Sequence, residues 1–153
     1  MASLEWFESI PRLQKKLRAL ESAIEMAYAS AGPRGQQLGS IGGGGGDPYA
    51  GMDSIIDTDA VRERDRTRAL LEERMDYATK ILYGRSGNGG VAKAIGTDDA
   101  DMMSYHFLEG ESLASIARRY DQEQANLSSW CERRIAWTCR QIDSIGIRAL
   151  VNT

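Results

Sequence analysis

The sequence predicts an all-α protein, with long coiled-coil-like helices followed by a C-terminal helix-turn-helix bundle. Three observations carry this. Apolar residues near the N-terminus recur at unbroken intervals of four and three. No segment alternates apolar and polar positions with β-branched enrichment, as a half-buried strand would. The last third of the chain reads as helix, glycine, short helix, polar turn and long helix. At 153 residues and 42% hydrophobic, the chain suits one ordinary domain or two small ones.

The first element is a heptad helix over residues 1–31. Trp6, Ile10, Leu13, Leu17, Leu20, Ile24, Ala27 and Ala31 form its seam. Ser9 followed by Pro11 predicts a capped start there. Such a helix cannot bury its seam alone, so Trp6, Ile10, Leu13, Leu17, Leu20 and Ile24 are candidate oligomerisation residues. The partner is either a second helix of this chain or another copy.

Residues 32–52 hold the run Gly42 to Gly46 and are expected to form a flexible linker, because such a run loses the most backbone entropy when fixed. A second long, charged helix is expected over 53–84, with Leu71, Met75, Ala78 and Leu82 as its stripe. Arg62, Arg64, Arg66 and Arg68 alternate with Glu63 and Asp65, which suits a solvated face better than a phosphate-binding one. Residues 85–97 are expected to be a loop. Its glycines do not make a phosphate loop, since Gly89 is followed by Gly90 rather than lysine, and Lys93 has no serine or threonine after it.

Residues 98–146 form the informative module, and 147–153 a tail. Thr97 ahead of Asp98, Asp99 and Asp101 predicts a capped first helix, which Gly110 stops. Ser112 opens the short helix, with Leu113, Ile116, Ala117 and Tyr120 on one face. The long helix starts near Glu123 and buries Leu127, Cys131, Ile135, Cys139 and Ile142, with Trp130 and Trp137 flanking as core or interface anchors. This is helix-turn-helix anatomy.

The string YHFLEGESLASIARRYDQEQANLSSW resembles the C-terminal region 4 domain of bacterial sigma factors. The carriers are Leu108-Glu109-Gly110, Ser112 with Ile116-Ala117, and Leu127. The turn residues Asp121 and Gln122, and Glu123 at the usual capping serine, depart from that pattern. The wider layout is similar to the phage and prophage late-gene regulators of the ArpU and RinA kind. The resemblance implies sequence-specific binding of double-stranded DNA near a promoter, with RNA polymerase as a further candidate partner.

On that reading the DNA-binding residues are Arg118, Arg119, Gln122, Gln124, Asn126, Ser128, Ser129 and Arg133. Amides can bond adenine edges, while hydroxyls and guanidinium groups hold phosphates. The same polar residues equally suit an ordinary solvent-facing first turn, and Arg133 and Arg134 could pair with nearby acids. Charge opposes the reading, because residues 98–146 carry nine acids against five arginines while the whole chain is only −3. The long helix is the exception, with three arginines against two glutamates over residues 122–142.

Other classes fare worse. With one histidine, no catalytic constellation can be assembled, so no enzyme and no cofactor are expected. One histidine and two cysteines are too few for a zinc site, and Cys131 and Cys139 on one helix sit roughly 12 Å apart, too far for a disulfide. No apolar stretch is long enough to span a membrane and no leader is visible, so a cytoplasmic protein is expected. Two alternatives remain: a small-terminase-like DNA-packaging subunit forming a ring, and a protein-interaction module that never reads DNA.

Overall fold

A computed structural model describes residues 2–42, 59–120 and 127–153, with side chains over 2–29, 59–120 and 129–153. Among these residues the regular structure is helical, and no strand occurs. The helices are α1 (Ser3–Gly42), α2 (Asp59–Tyr83), α3 (Gly90–Ala94), α4 (Thr97–Met103), α5 (Leu113–Arg119), α6 (Leu127–Ile145) and α7 (Ile147–Val151), with a π turn at Ser104–Leu108 after α4. The chain divides into two compact units, one made of Met1–Arg12 and Glu72–Thr153, the other of Leu13–Leu71.

In the first unit the start of α1 is held by residues far away in sequence. Ser3 N donates to Asp143 Oδ1 at 3.0 Å, and Ser3 Oγ donates to the Cys139 carbonyl at 2.9 Å. The helix therefore begins at Ser3 and not near Ser9, because a carboxylate from α6 takes the place of a local cap. Pro11 consequently lies inside the helix, and Ser9 Oγ donates to the Trp6 carbonyl. Phe7, which lies beside the predicted seam, is fully buried and packs its ring 5.5 Å from Phe107, while Trp6 stands edge-on to Phe7 and to Tyr77.

Two further expectations for this unit are corrected. The loop over 85–97 contains α3, and the tail over 147–153 contains α7, whose Leu150 and Val151 are buried. The two pieces hold each other: Arg85 N donates to the Val151 carbonyl, and Gly90 N donates to Thr153 Oγ1 at 2.6 Å. Gly90 has φ +63°, and a Cβ there would lie 2.5 Å from the Ile81 carbonyl oxygen, so only glycine lets α3 start this close to α2. A segment of glycines and alanines reads as loop because its helix depends on this close packing. The first-helix boundary also shifts by one residue, since Gly96 occupies the cap position and Thr97 is already helical.

Within the second unit, α1 and α2 pair inside one chain. Lys16 bonds to Glu63, and Arg68 to Glu21 at 2.9 Å. Ile24, Thr67 and Leu71 are buried between them, whereas Leu13, Leu17 and Leu20 remain half-buried. The expected linker also begins later than 32, because the backbone of α1 runs on to Gly42. Once a helix is nucleated, each added residue gains a hydrogen bond, which sustains it through Gln36, Gln37 and Leu38. The remainder of the expected linker, and the start of the second helix expected at 53, lie outside the described residues.

Candidate nucleic-acid interface

The surface proposed from sequence is built by α4, the π turn, α5 and α6. The π turn begins at Ser104, whose carbonyl accepts from Glu109 N at 3.1 Å. It delivers the chain to Gly110 at φ +72°, a conformation that side chains rarely adopt. Ser112 then caps α5, its Oγ accepting from Ser115 N at 3.2 Å. Ile116 and Ala117 are fully buried where α5 meets α6. His106 is half-buried, and its Nδ1–H donates to the Glu111 carbonyl at 3.2 Å, since a carbonyl can only accept.

The long helix α6 keeps the predicted stripe from Cys131 onward, while the side chain of Leu127 lies outside those described. Cys131, Ile135, Cys139 and Ile142 are all buried, and Cys139 Sγ lies 3.8 Å from Met103 Sδ. Burial pushes the Cys131 thiol up to about 11 and the Cys139 thiol up to about 12, so both are unreactive packing groups.

Two clamps join the helices and determine which arginines stay available. Arg134 grips Asp99 with both ends of its fork, Nε to Oδ1 at 2.6 Å and Nη2 to Oδ2 at 3.1 Å. It also lies over the Trp137 ring at 4.3 Å, and Thr138 Oγ1 reaches Asp99 Oδ1 at 3.5 Å. Asp99 is only 5% exposed, and this pairing satisfies its buried carboxylate. In the second clamp Arg119 Nε donates to both oxygens of Glu111, at 2.9 and 3.1 Å, and stacks over Tyr105 at 4.4 Å. Arg119 and Ser115 together hold the Glu111 carboxyl below its usual range. Tyr120 completes the junction: its hydroxyl donates to the Asp98 carbonyl at 3.2 Å, and burial pushes it up to about 12.

The residues expected to touch DNA therefore divide. Arg118 is exposed at the end of α5 and makes no ion pair among the described residues. Arg119, expected to reach the phosphate backbone, is engaged inside the chain by Glu111, because Gly110 turns that glutamate back over α5. Ser129 and Arg133 are exposed on α6, one turn apart and opposite the buried stripe. Gln122, Gln124 and Asn126 lie outside the described residues. Ser128 belongs to α6, but its side chain is not among those described.

Sequence reading overlooked Arg140 as a member of this face. It is exposed and lies seven residues beyond Arg133, two turns along the same side of the helix. That spacing was visible in the sequence. The Asp99–Arg134 clamp had no such signal, because its partners are 35 residues apart.

Of the oligomerisation residues, Ile10 and Ile24 are buried inside the chain, Trp6 is half-buried against Phe7 and Tyr77, and Leu13, Leu17 and Leu20 are half-buried. Trp6 meets Tyr77 of α2 and Ile24 is buried, so part of the seam is closed within one chain. Among the described residues no helix is long and apolar enough to cross a membrane, and no cluster of acids, histidine and cysteines could hold a metal ion. Compared with protein-family models, with curated proteins and with solved structures, the chain matches none.

Proposed function

We propose that this protein is a sequence-specific DNA-binding regulator, in which α5 and α6 act as a helix-turn-helix and α6 lies in the major groove. The observation that carries the reading is the outward face of α6, where Ser129, Arg133 and Arg140 stand exposed opposite a fully buried stripe. Exposed arginine on a rigid helix is the side chain best suited to guanine edges and phosphates. The clamps support the same reading. Arg134 and Arg119 pair with Asp99 and Glu111, two of the acids nearest the helix pair, and the Arg134–Asp99 clamp ties α6 to α4. The resemblance to sigma region 4 adds RNA polymerase as a second candidate partner.

Selection from random double-stranded DNA at near-physiological salt tests this. A defined sequence is expected to enrich with the native chain. Arg133→Ala is expected to relax selection at one position and weaken binding by about 1–3 kcal/mol, as for lost base contacts, while Arg118→Ala weakens all sequences alike and lowers the salt dependence. The absence of any enriched sequence with the native chain would overturn the proposal.

A second reading, an interaction module that does not contact DNA, is favoured by a cavity of ≈190 Å³ lined by Leu4, Phe107, Leu113 and Ile135 with Glu8 and Glu132 at its side. Its acidic lining suits a basic partner segment. The same selection separates the two.

A further inference from the structure

The turn that links α2 to α3 carries chemistry that DNA binding does not use. The chain has three asparagines, and only Asn88 is followed by glycine; Asn126 precedes leucine and Asn152 precedes threonine. An Asn-Gly pair is the one best suited to lose its side-chain amide in water. Glycine has no side chain to hinder the approach of its nitrogen to the asparagine carboxamide. Asn88 is exposed, so water reaches it, whereas Gly89 is buried. Gly89 N–H donates to the Tyr83 carbonyl at 2.8 Å, and a Cβ on Gly89 would lie 2.5 Å from the Thr153 backbone. The end of the chain holds this turn down. Gly90 N donates to Thr153 Oγ1, Arg85 N donates to the Val151 carbonyl at 3.1 Å, and Leu150 and Val151 of α7 are buried.

We infer that Asn88 is a site of spontaneous deamidation, gated by the junction between the turn over 84–90 and α7. In the reaction, Gly89 N gives its proton to hydroxide and attacks Asn88 Cγ. The new N–C bond closes a succinimide ring, and Nδ2 takes a proton from water and leaves as ammonia. Water then opens the ring at either carbonyl, giving aspartate or isoaspartate. While Gly89 N–H is bonded to Tyr83, the nitrogen is engaged and its peptide plane is fixed. Attack therefore waits for a local opening of the junction. Isoaspartate puts one extra carbon into the backbone between residues 88 and 89. The turn is tied at both ends, by Gly84 N to the Lys80 carbonyl at 2.7 Å and by Gly89 N to Tyr83, so the lengthened chain cannot restore both bonds in native form. The inference does not rest on DNA binding.

The experiment holds the full chain at mildly alkaline pH and locates the product by peptide mass mapping, with helicity followed in parallel. In guanidinium chloride, Asn88 is expected to convert first of the three asparagines. In native buffer its rate is expected to be roughly tenfold or more lower, because the junction must open first. Thr153→Ala removes the hydroxyl that accepts from Gly90 and is expected to speed the native-buffer reaction severalfold. Leu150→Ala, at a fully buried site of α7, is expected to speed it further. Ile24→Ala loosens the other compact unit and is expected to leave the rate unchanged. Equal rates in the two solvents, no conversion in guanidinium chloride, or equal acceleration by Ile24→Ala and Leu150→Ala would overturn the inference. Should Leu150→Ala lose helicity, Thr153→Ala decides, and no acceleration in that variant would overturn it.

Discussion

Eighteen of the twenty buried apolar side chains among the described residues lie in the unit formed by 1–12 and 72–153, and two, Ile24 and Leu71, lie in the unit 13–71. Both units are helical, and both have regular apolar spacing in sequence. The difference arises from how many elements meet. In the first, the start of α1, the end of α2 and five shorter or later helices surround Phe7, Phe107, Ile116 and Ile142, so each apolar face is covered on several sides. In the second, the described residues supply only α1 and α2, and a two-helix pair by itself covers each apolar face on one side. Periodicity therefore reports which face turns inward, but the number of neighbours sets how much stability that face contributes.

Truncations should show the largest contrast. Phe7→Ala removes a fully buried ring from the first unit and is expected to cost about 3–5 kcal/mol. Leu20→Ala, at a half-buried site in the second, is expected to cost about 1 kcal/mol. Denaturant titration of the two variants against the native chain measures both. Equal costs would mean that the second unit is packed as densely as the first.

Charge pairs give a smaller contrast in the same direction. Arg134→Ala leaves the Asp99 carboxylate buried without its partner and is expected to cost about 2 kcal/mol, less than for a fully enclosed pair because Arg134 itself is 43% exposed. Lys16→Ala breaks a pair exposed on both sides and is expected to change stability by under about 1 kcal/mol. Hydrogen exchange in α6 is expected to rise for the first variant and stay unchanged for the second.

The finest contrast is in titration. Glu111 is held below its usual range by Arg119 and Ser115, and Glu63 by Lys16. A carboxyl lowered by folding contributes stability above its unfolded pKa, near about 4.3, and loses that contribution as pH falls through the folded value. NMR titration of the two side chains is expected to show both depressed. Addition of mild denaturant is expected to return Glu63 to its ordinary value first, because it depends on the thinner unit, and the opposite order would reverse the comparison.

The all-helical class was legible because apolar spacing and the lack of strand patterning are local properties. So were the buried stripe at Cys131, Ile135, Cys139 and Ile142, the Ser112 cap and the small Ala117 at the crossing of α5 and α6. Of the proposed interface, Arg118, Ser129 and Arg133 could be read as exposed, and Arg140 could have been added from its seven-residue spacing. That Arg119 pairs with Glu111 could not be read from sequence alone, since the turn at Gly110 determines whether Glu111 reaches it.

Helix periods, caps and breakers act between residues a few positions apart, and the order of amino acids was enough to establish them. Distant pairings needed the folded chain. Asp143 holding the start of α1, Asp99 gripping Arg134, α7 buried against the glycine turn and Phe7 replacing Trp6 as the core ring all join residues separated by tens of positions. Such contacts depend on which faces meet after the helices have formed. Local preference is silent about that, because many packings satisfy the same periodicity and only close-packed complementarity selects among them.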